Sequence, residues 1–240
     1  MGNINVHNTI LEAVSAKKKL LAILIDPEKF DLDSAPEFLQ KLPSVTTHIF
    51  VGGSTVPVGL TQQVVETLKL YTARTIVIFP GDVSQISESA DALLYLSLFS
   101  GDNPEYLVGQ QIRAVPILRK MNLEVIPTGY VLIDGGNSSA VASVTDTSPI
   151  PQYEIQRIVD TAVAAQLSGK KLIYLEAGSG ALIAVQPEII SEVKRELQIP
   201  LIVGGGFRSA DQVQQAYDAG ADMIVVGTAI ENGKNLNLTD

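Results

Sequence analysis

The sequence predicts a single (β/α)8 barrel of the TIM type, with a truncated or replaced third helix, spanning residues 1–240 as one domain. Three observations carry that prediction. Short apolar runs rich in β-branched residues recur eight times, at 20–25, 48–51, 75–79, 92–98, 124–126, 172–175, 201–203 and 223–226. Most are separated by helical patterns, at 57–71, 104–121, 151–167, 187–197 and 209–219, an alternation that implies a parallel sheet with helical crossovers. Eight such units in one domain-sized chain favour a closed barrel over an open doubly wound sheet.

The helices begin where local chemistry expects them to. Pro57, Pro104, Pro151 and Pro187 stand at or near a first turn, where a missing N–H is no loss. One crossover is irregular: 81–91 is too short for a full helix, so the third helix is truncated or replaced. The stretch 134–149, DGGNSSAVASVTDTSP, is small, polar and without periodicity. It is expected to form a long loop over the face of the barrel that carries function.

Composition narrows the function. An apolar fraction of 46% with 18% charged residues fits a compact globular chain. A net charge of −9, with only 17 Lys and Arg, argues against a general nucleic-acid binder. A polyanionic substrate would need local help from backbone N–H groups or a divalent cation. The absence of cysteine excludes disulfides, thiolate zinc sites and Cys nucleophiles. His7 and His48 are far apart and show no ligand spacing, so any metal is a hard, oxygen-bound ion such as Mg²⁺. Lys17-Lys18-Lys19 and the apolar run after it mimic a signal peptide, but Asp26 ends the run early and no small-residue cleavage site follows. No apolar stretch approaches the roughly 18 residues that span a bilayer, so a soluble, cytoplasmic protein is expected.

In this fold chemistry sits at the carboxyl ends of the strands. There the sequence places Asp26-Pro27-Glu28-Lys29, Gly52-Gly53-Ser54-Thr55, Glu176-Ala177-Gly178-Ser179-Gly180, Gly204-Gly205-Gly206 and Gly227-Thr228. Glycines there let backbone N–H groups approach an anion, and the seventh and eighth loops are the usual phosphate cradle. Tight turns are the plainer alternative. Asp26 closes a buried strand, where a carboxylate needs a partner, hydration or a cation. It is a candidate Mg²⁺ ligand with Ser54 at the neighbouring strand end, or else a helix cap or turn residue. Tyr174 and Glu176, two residues apart, share a face of their strand, while Leu175 points the other way. Glu176 could accept a hydrogen bond from a substrate hydroxyl or take its proton; a solvated strand-end carboxylate is the alternative. Lys29 and Arg208 are either phosphate partners or solvated charges.

The ordered set of these motifs, with Ile78-Phe79-Pro80-Gly81 and 92–100 between them, resembles the geranylgeranylglyceryl phosphate synthases and their heptaprenyl relatives over nearly the whole chain. The resemblance implies a Mg²⁺-dependent prenyltransferase that joins a polyprenyl diphosphate to sn-glycerol 1-phosphate. It implies that Asp26 and Ser54 hold the metal, and that Tyr174, Leu175, Glu176, Ala177, Gly178, Ser179, Gly180, Gly204, Gly205, Gly227 and Thr228 hold the glycerol phosphate. Glu176 and Tyr174 are then the catalytic candidates. It also implies a homo-oligomer, and a lipid substrate raises the question of transient membrane association. A prenyl tail would lie along 93–99 and 106–108, residues that ordinary core packing also explains. Two rivals share the cradle: a sugar-phosphate isomerase using Asp26 and Asp134 as its acid and base, and a non-catalytic glycerol-phosphate binder. A Schiff-base aldolase fits poorly, because Lys170 and Lys171 stand at the start of a strand, at the other mouth of the barrel.

Overall fold

A computed structural model describes residues 5–231 and shows a closed barrel of eight parallel strands in sequential order. They are β1 (Leu20–Ile25), β2 (Thr46–Val51), β3 (Thr75–Ile78), β4 (Ala92–Leu98), β5 (Glu124–Leu132), β6 (Leu172–Glu176), β7 (Leu201–Gly204) and β8 (Met223–Val226). β8 closes the ring onto β1 through the register Leu20↔Met223 to Ile23↔Val226. The helices are α1 (Val6–Ser15), α2 (Ala35–Lys41), α3 (Leu60–Tyr71), α4 (Gln110–Leu118), α5 (Ala140–Thr145), α6 (Ile155–Leu167), α7 (Pro187–Glu196), α8 (Ala210–Asp218) and α9 (Thr228–Glu231). A wide π turn, Glu105–Gly109, runs straight into α4. Among the described residues no helix is long and apolar enough to cross a membrane.

Strand alternation divides the apolar residues into two cores. Leu21, Ile23, Ile49, Val51, Ile173, Leu175 and Val203 face outward and pack against the helices. Ala22, Phe50, Leu94, Tyr130, Tyr174, Ile202 and Val225 fill the barrel. Val6 and Ile10 of α1 belong to this inner core and close its amino-terminal end. Glu124, at the start of β5, fixes that plug by accepting from the N–H groups of Val6 (2.5 Å) and His7 (3.0 Å).

The short third crossover is a single 3₁₀ turn, Val83–Gln85, capped by Asp82, whose carboxylate accepts from the Ser84 N–H at 2.7 Å. β5 is longer than its apolar run suggests. It continues past Pro127 because Tyr130 and Leu132 face the interior and Val131 the outer layer. Gly129 permits this, since a side chain there would press to 2.6 Å from the Ala165 methyl of α6. The 134–149 loop carries α5, a short helix started by the Ser139 hydroxyl accepting from the Ala142 N–H at 3.1 Å. Asn103 pins the end of α5 by donating to the Thr145 carbonyl at 2.8 Å.

Candidate active site

A cavity of about 320 Å³ opens among the carboxyl ends of the strands. Asp26, Ser54, Phe79, Tyr130, Tyr174, Glu176, Gly205 and Thr228 all contribute to its wall. The apolar part of the wall reaches Leu93, Tyr95, Ile86 and Ala114. Leu93, Tyr95 and Ile86 pack with the outer core, so this arm passes to the outside of β4 through the space that a full third helix would fill.

Glu176 ends β6 with its side chain turned into the barrel and is only 5% exposed. Its Oε1 accepts from the Gly178 N–H at 2.6 Å. Burial pushes its pKa up to about 7, against the opposing pull of the Gly178 N–H and the Tyr174 hydroxyl. Tyr174 lies close enough to exert that pull, yet its fully buried hydroxyl forms no well-angled hydrogen bond with any group among the described residues. The Tyr174 ring stacks on Phe79 at 5.0 Å between centroids and 18° between planes, and packs against Tyr130 at 5.4 Å. Burial raises the pKa of both phenols, so they stay protonated and act as donors.

Backbone approaches close this side of the cavity. Gly205 has φ +85°, and a Cβ there would lie 2.5 Å from Glu176 Oε1 and 2.8 Å from the Gly178 nitrogen, so only glycine lets the β7 loop lie on the β6 loop. The β6 and β8 loops meet where Ser179 Oγ and Thr228 Oγ1 stand 3.2 Å apart. Arg208 ties the β7 loop to the β6 loop by donating to the carbonyls of Ala181 (2.8 Å) and Leu182 (3.2 Å).

Across the cavity, the Asp26 carboxylate accepts from the Glu28 N–H at 3.1 Å and pairs with the Lys29 ammonium at 2.9 Å. Gly53 leaves room for it, since a side chain there would meet Asp26 Oδ1 at 2.9 Å. Buried Gln85, on the 3₁₀ turn, holds Gly53 by accepting from its N–H (3.2 Å) and donating to its carbonyl (2.7 Å). That contact fixes the β2 turn carrying Ser54. Among the described residues no group of three or more His, Cys, Asp and Glu is arranged to hold a metal. Asp26 and Ser54 nevertheless suit a hard cation that takes its remaining oxygens from a bound phosphate and water.

The residues singled out from sequence separate into those facing the cavity and those behind it. Asp26, Ser54, Tyr174, Glu176, Ser179, Gly180, Gly205, Gly227 and Thr228 line it. Leu175 and Ala177 pack in the outer core, so only their backbone can serve the site. Gly178 acts through its N–H on Glu176, and Gly204 lies beneath the Tyr174 hydroxyl. Of the expected prenyl-lining stretches, residues 93–96, Leu98 and Tyr106 reach the cavity. Asp134 is outside it and accepts from the Gly136 N–H at 2.9 Å, so no acid and base pair with Asp26 is assembled. Lys170 donates to Ser97 Oγ at 2.7 Å. His48 is buried, with its pKa pushed down to about 4 by burial, against the pull of Asp91. Tyr130 and Gln85 are the additions that sequence reasoning passed over.

The PcrB family model matches residues 14–240. A geranylgeranylglyceryl phosphate synthase of Zunongwangia profunda is 56% identical over 229 residues, covering 95% of this chain and 98% of that one. One of Pyrococcus abyssi is 38% identical over 238 residues, covering 97% and 92%. The crystal structure of (S)-3-O-geranylgeranylglyceryl phosphate synthase from Thermoplasma acidophilum, in complex with substrate sn-glycerol-1-phosphate, superposes with a TM-score of 0.88 at 35% identity, covering 97% of this chain and 94% of that one. The chain belongs to the PcrB family, alongside relatives named geranylgeranylglyceryl phosphate synthase.

Proposed function

We propose that this protein joins geranylgeranyl diphosphate, or a similar polyprenyl diphosphate, to the 3-hydroxyl of sn-glycerol 1-phosphate and releases diphosphate. The observation that carries this reading is Glu176, a buried carboxylate with its pKa near 7, set between a glycine-lined cradle and a cavity arm walled by apolar side chains. The names of the relatives and the bound substrate of the Thermoplasma structure support the same assignment.

In this reading the phosphate of the acceptor rests on the β6, β7 and β8 loops, around Ser179, Gly205, Gly227 and Thr228. Glu176 orients the 3-hydroxyl and accepts its proton as the new C–O bond forms at the allylic carbon and the bond to diphosphate breaks. Phe79, Tyr130 and Tyr174 line the reacting region. The prenyl tail runs into the apolar arm, where each buried CH₂ contributes about 0.8 kcal/mol. Asp26 and Ser54 would hold Mg²⁺, which when bound supplies charge neutralisation for the departing diphosphate.

The assignment divides labour between two carboxylates. Asp26→Asn should weaken the Mg²⁺ dependence and diphosphate binding while leaving glycerol phosphate binding largely intact. Glu176→Gln should slow turnover by about 10²-fold or more with diphosphate affinity retained. Titrations of both substrates and of Mg²⁺ for each variant check this. A wild-type Mg²⁺ response in Asp26→Asn, or a Glu176→Gln defect confined to the prenyl substrate, would show the roles to be wrong.

A further inference from the structure

Tyr130 lines the cavity with a hydroxyl that is fully buried and has no hydrogen-bond partner among the described residues. A buried phenol without a partner is costly, and in the wall of a cavity such a group points to a ligand that completes it. Neither the carboxylate chemistry of Glu176 nor the phosphate cradle gives this hydroxyl a partner. The chemistry it would accept is narrow. Its ring is held by Tyr174 at 5.4 Å and Phe79 at 5.9 Å, so the hydroxyl has little freedom to turn elsewhere. Remaining protonated, it has an O–H to donate to a ligand oxygen. The Glu176 charge is felt at this hydroxyl, so a phosphate dianion is disfavoured here and a neutral hydroxyl fits.

We infer that Tyr130 is a specificity-determining residue that donates a hydrogen bond to the C2 hydroxyl of the glycerol phosphate acceptor. The inference rests on the function proposed above. The strand register supports it: Leu132 pairs with Glu176 and Tyr130 with Tyr174, which sets Tyr130 one interior layer below Glu176 on the adjacent strand. With the acceptor's C3 oxygen at Glu176, its C2 oxygen is on the neighbouring carbon, within reach of a phenol in that layer. Phosphate on the glycine loops, O3 at Glu176 and O2 at Tyr130 make three points of contact around the C2 stereocentre. In the mirror-image acceptor, sn-glycerol 3-phosphate, two of these contacts can be kept, but the hydroxyl and hydrogen on C2 exchange places.

The test compares wild type and Tyr130→Phe, a change that keeps the ring stack, on three acceptors with one prenyl diphosphate. These are sn-glycerol 1-phosphate, sn-glycerol 3-phosphate and 1,3-propanediol monophosphate, which lacks the C2 hydroxyl. The expected result is a kcat/KM loss of about 10-fold or more on sn-glycerol 1-phosphate, a change within about twofold on the propanediol phosphate, and a narrowed preference between the two enantiomers. If the propanediol phosphate is turned over too slowly, its inhibition constant against sn-glycerol 1-phosphate gives the same comparison. Equal losses on both acceptors, or no loss on either, would overturn the role of Tyr130 and leave the proposed reaction standing. A wild-type protein that makes no ether from any acceptor would overturn both.

Discussion

At the scale of single residues, the chemistry turns on what burial does to Glu176. Its carboxyl is shifted from 4.5 to about 7, chiefly by desolvation. As a base it must be ionised, so kcat/KM should rise with pH and level off above an apparent pKa near 7. The same shift acts on stability with the opposite sense. Because the folded state holds the proton more tightly than the unfolded chain, the stability linked to Glu176 is fully present below about pH 4.5 and is lost as pH rises through about 7. Glu176→Gln cannot ionise, so near pH 8 it should be more stable than wild type, by about 3 kcal/mol, with no gain near pH 4. Denaturation curves at the two pH values check this; a Gln variant less stable at both would show that the carboxylate is not held against its desolvation. That Asp26, Ser54, Tyr174 and Glu176 face one cavity was legible in the sequence, because each stands at a strand end beside a glycine turn or a paired strand position. Tyr130 was not, because it lies within a strand broken in composition by Pro127 and Gly129, where an aromatic residue looks like ordinary packing.

At the scale of elements, the strands were readable almost throughout, since buried parallel strands appear as continuous β-branched runs. The absent third helix was equally readable, as a gap too short to hold one. Helix α1 was overlooked, although Val6, Ile10, Ala13 and Val14 have helical spacing, because nothing in an alternating strand and helix pattern calls for a plug beneath the barrel. Its anchor, Glu124, is 118 residues away in sequence, a separation over which local patterns carry no information. That anchor is testable. Glu124→Ala removes the acceptor for two N–H groups at the start of α1 and should cost about 1–2 kcal/mol in urea denaturation. Prenyl transfer should change by less than about twofold, because Glu124 lies at the mouth opposite the cavity. Unchanged stability would mean that α1 is held by its apolar contacts alone. The short α5 was hidden in a run of Ser, Thr, Ala and Val, where helix formation depends on the Ser139 cap and the Asn103 contact rather than on periodicity.

At the scale of the whole molecule, the barrel holds two incompatible needs apart. In the proposed reading, a rim of close backbone approaches centred on Gly205 takes the acceptor's phosphate without clustered cations, which suits a chain of net charge −9. The missing third helix opens an apolar arm from the same cavity to the outside of β4, where a long hydrocarbon can lie. Glu176 stands between the two. A barrel isomerase would need the rim and no arm, and a plain binder would need no carboxylate poised near neutrality. The most direct measurement is to incubate the purified protein with sn-glycerol 1-phosphate, Mg²⁺ and geranylgeranyl diphosphate, and to follow the products by mass spectrometry. The predicted result is a prenyl ether of glycerol phosphate formed together with an equal amount of diphosphate, only when both substrates are present. Recovery of both substrates unchanged across a ladder of prenyl chain lengths would contradict it.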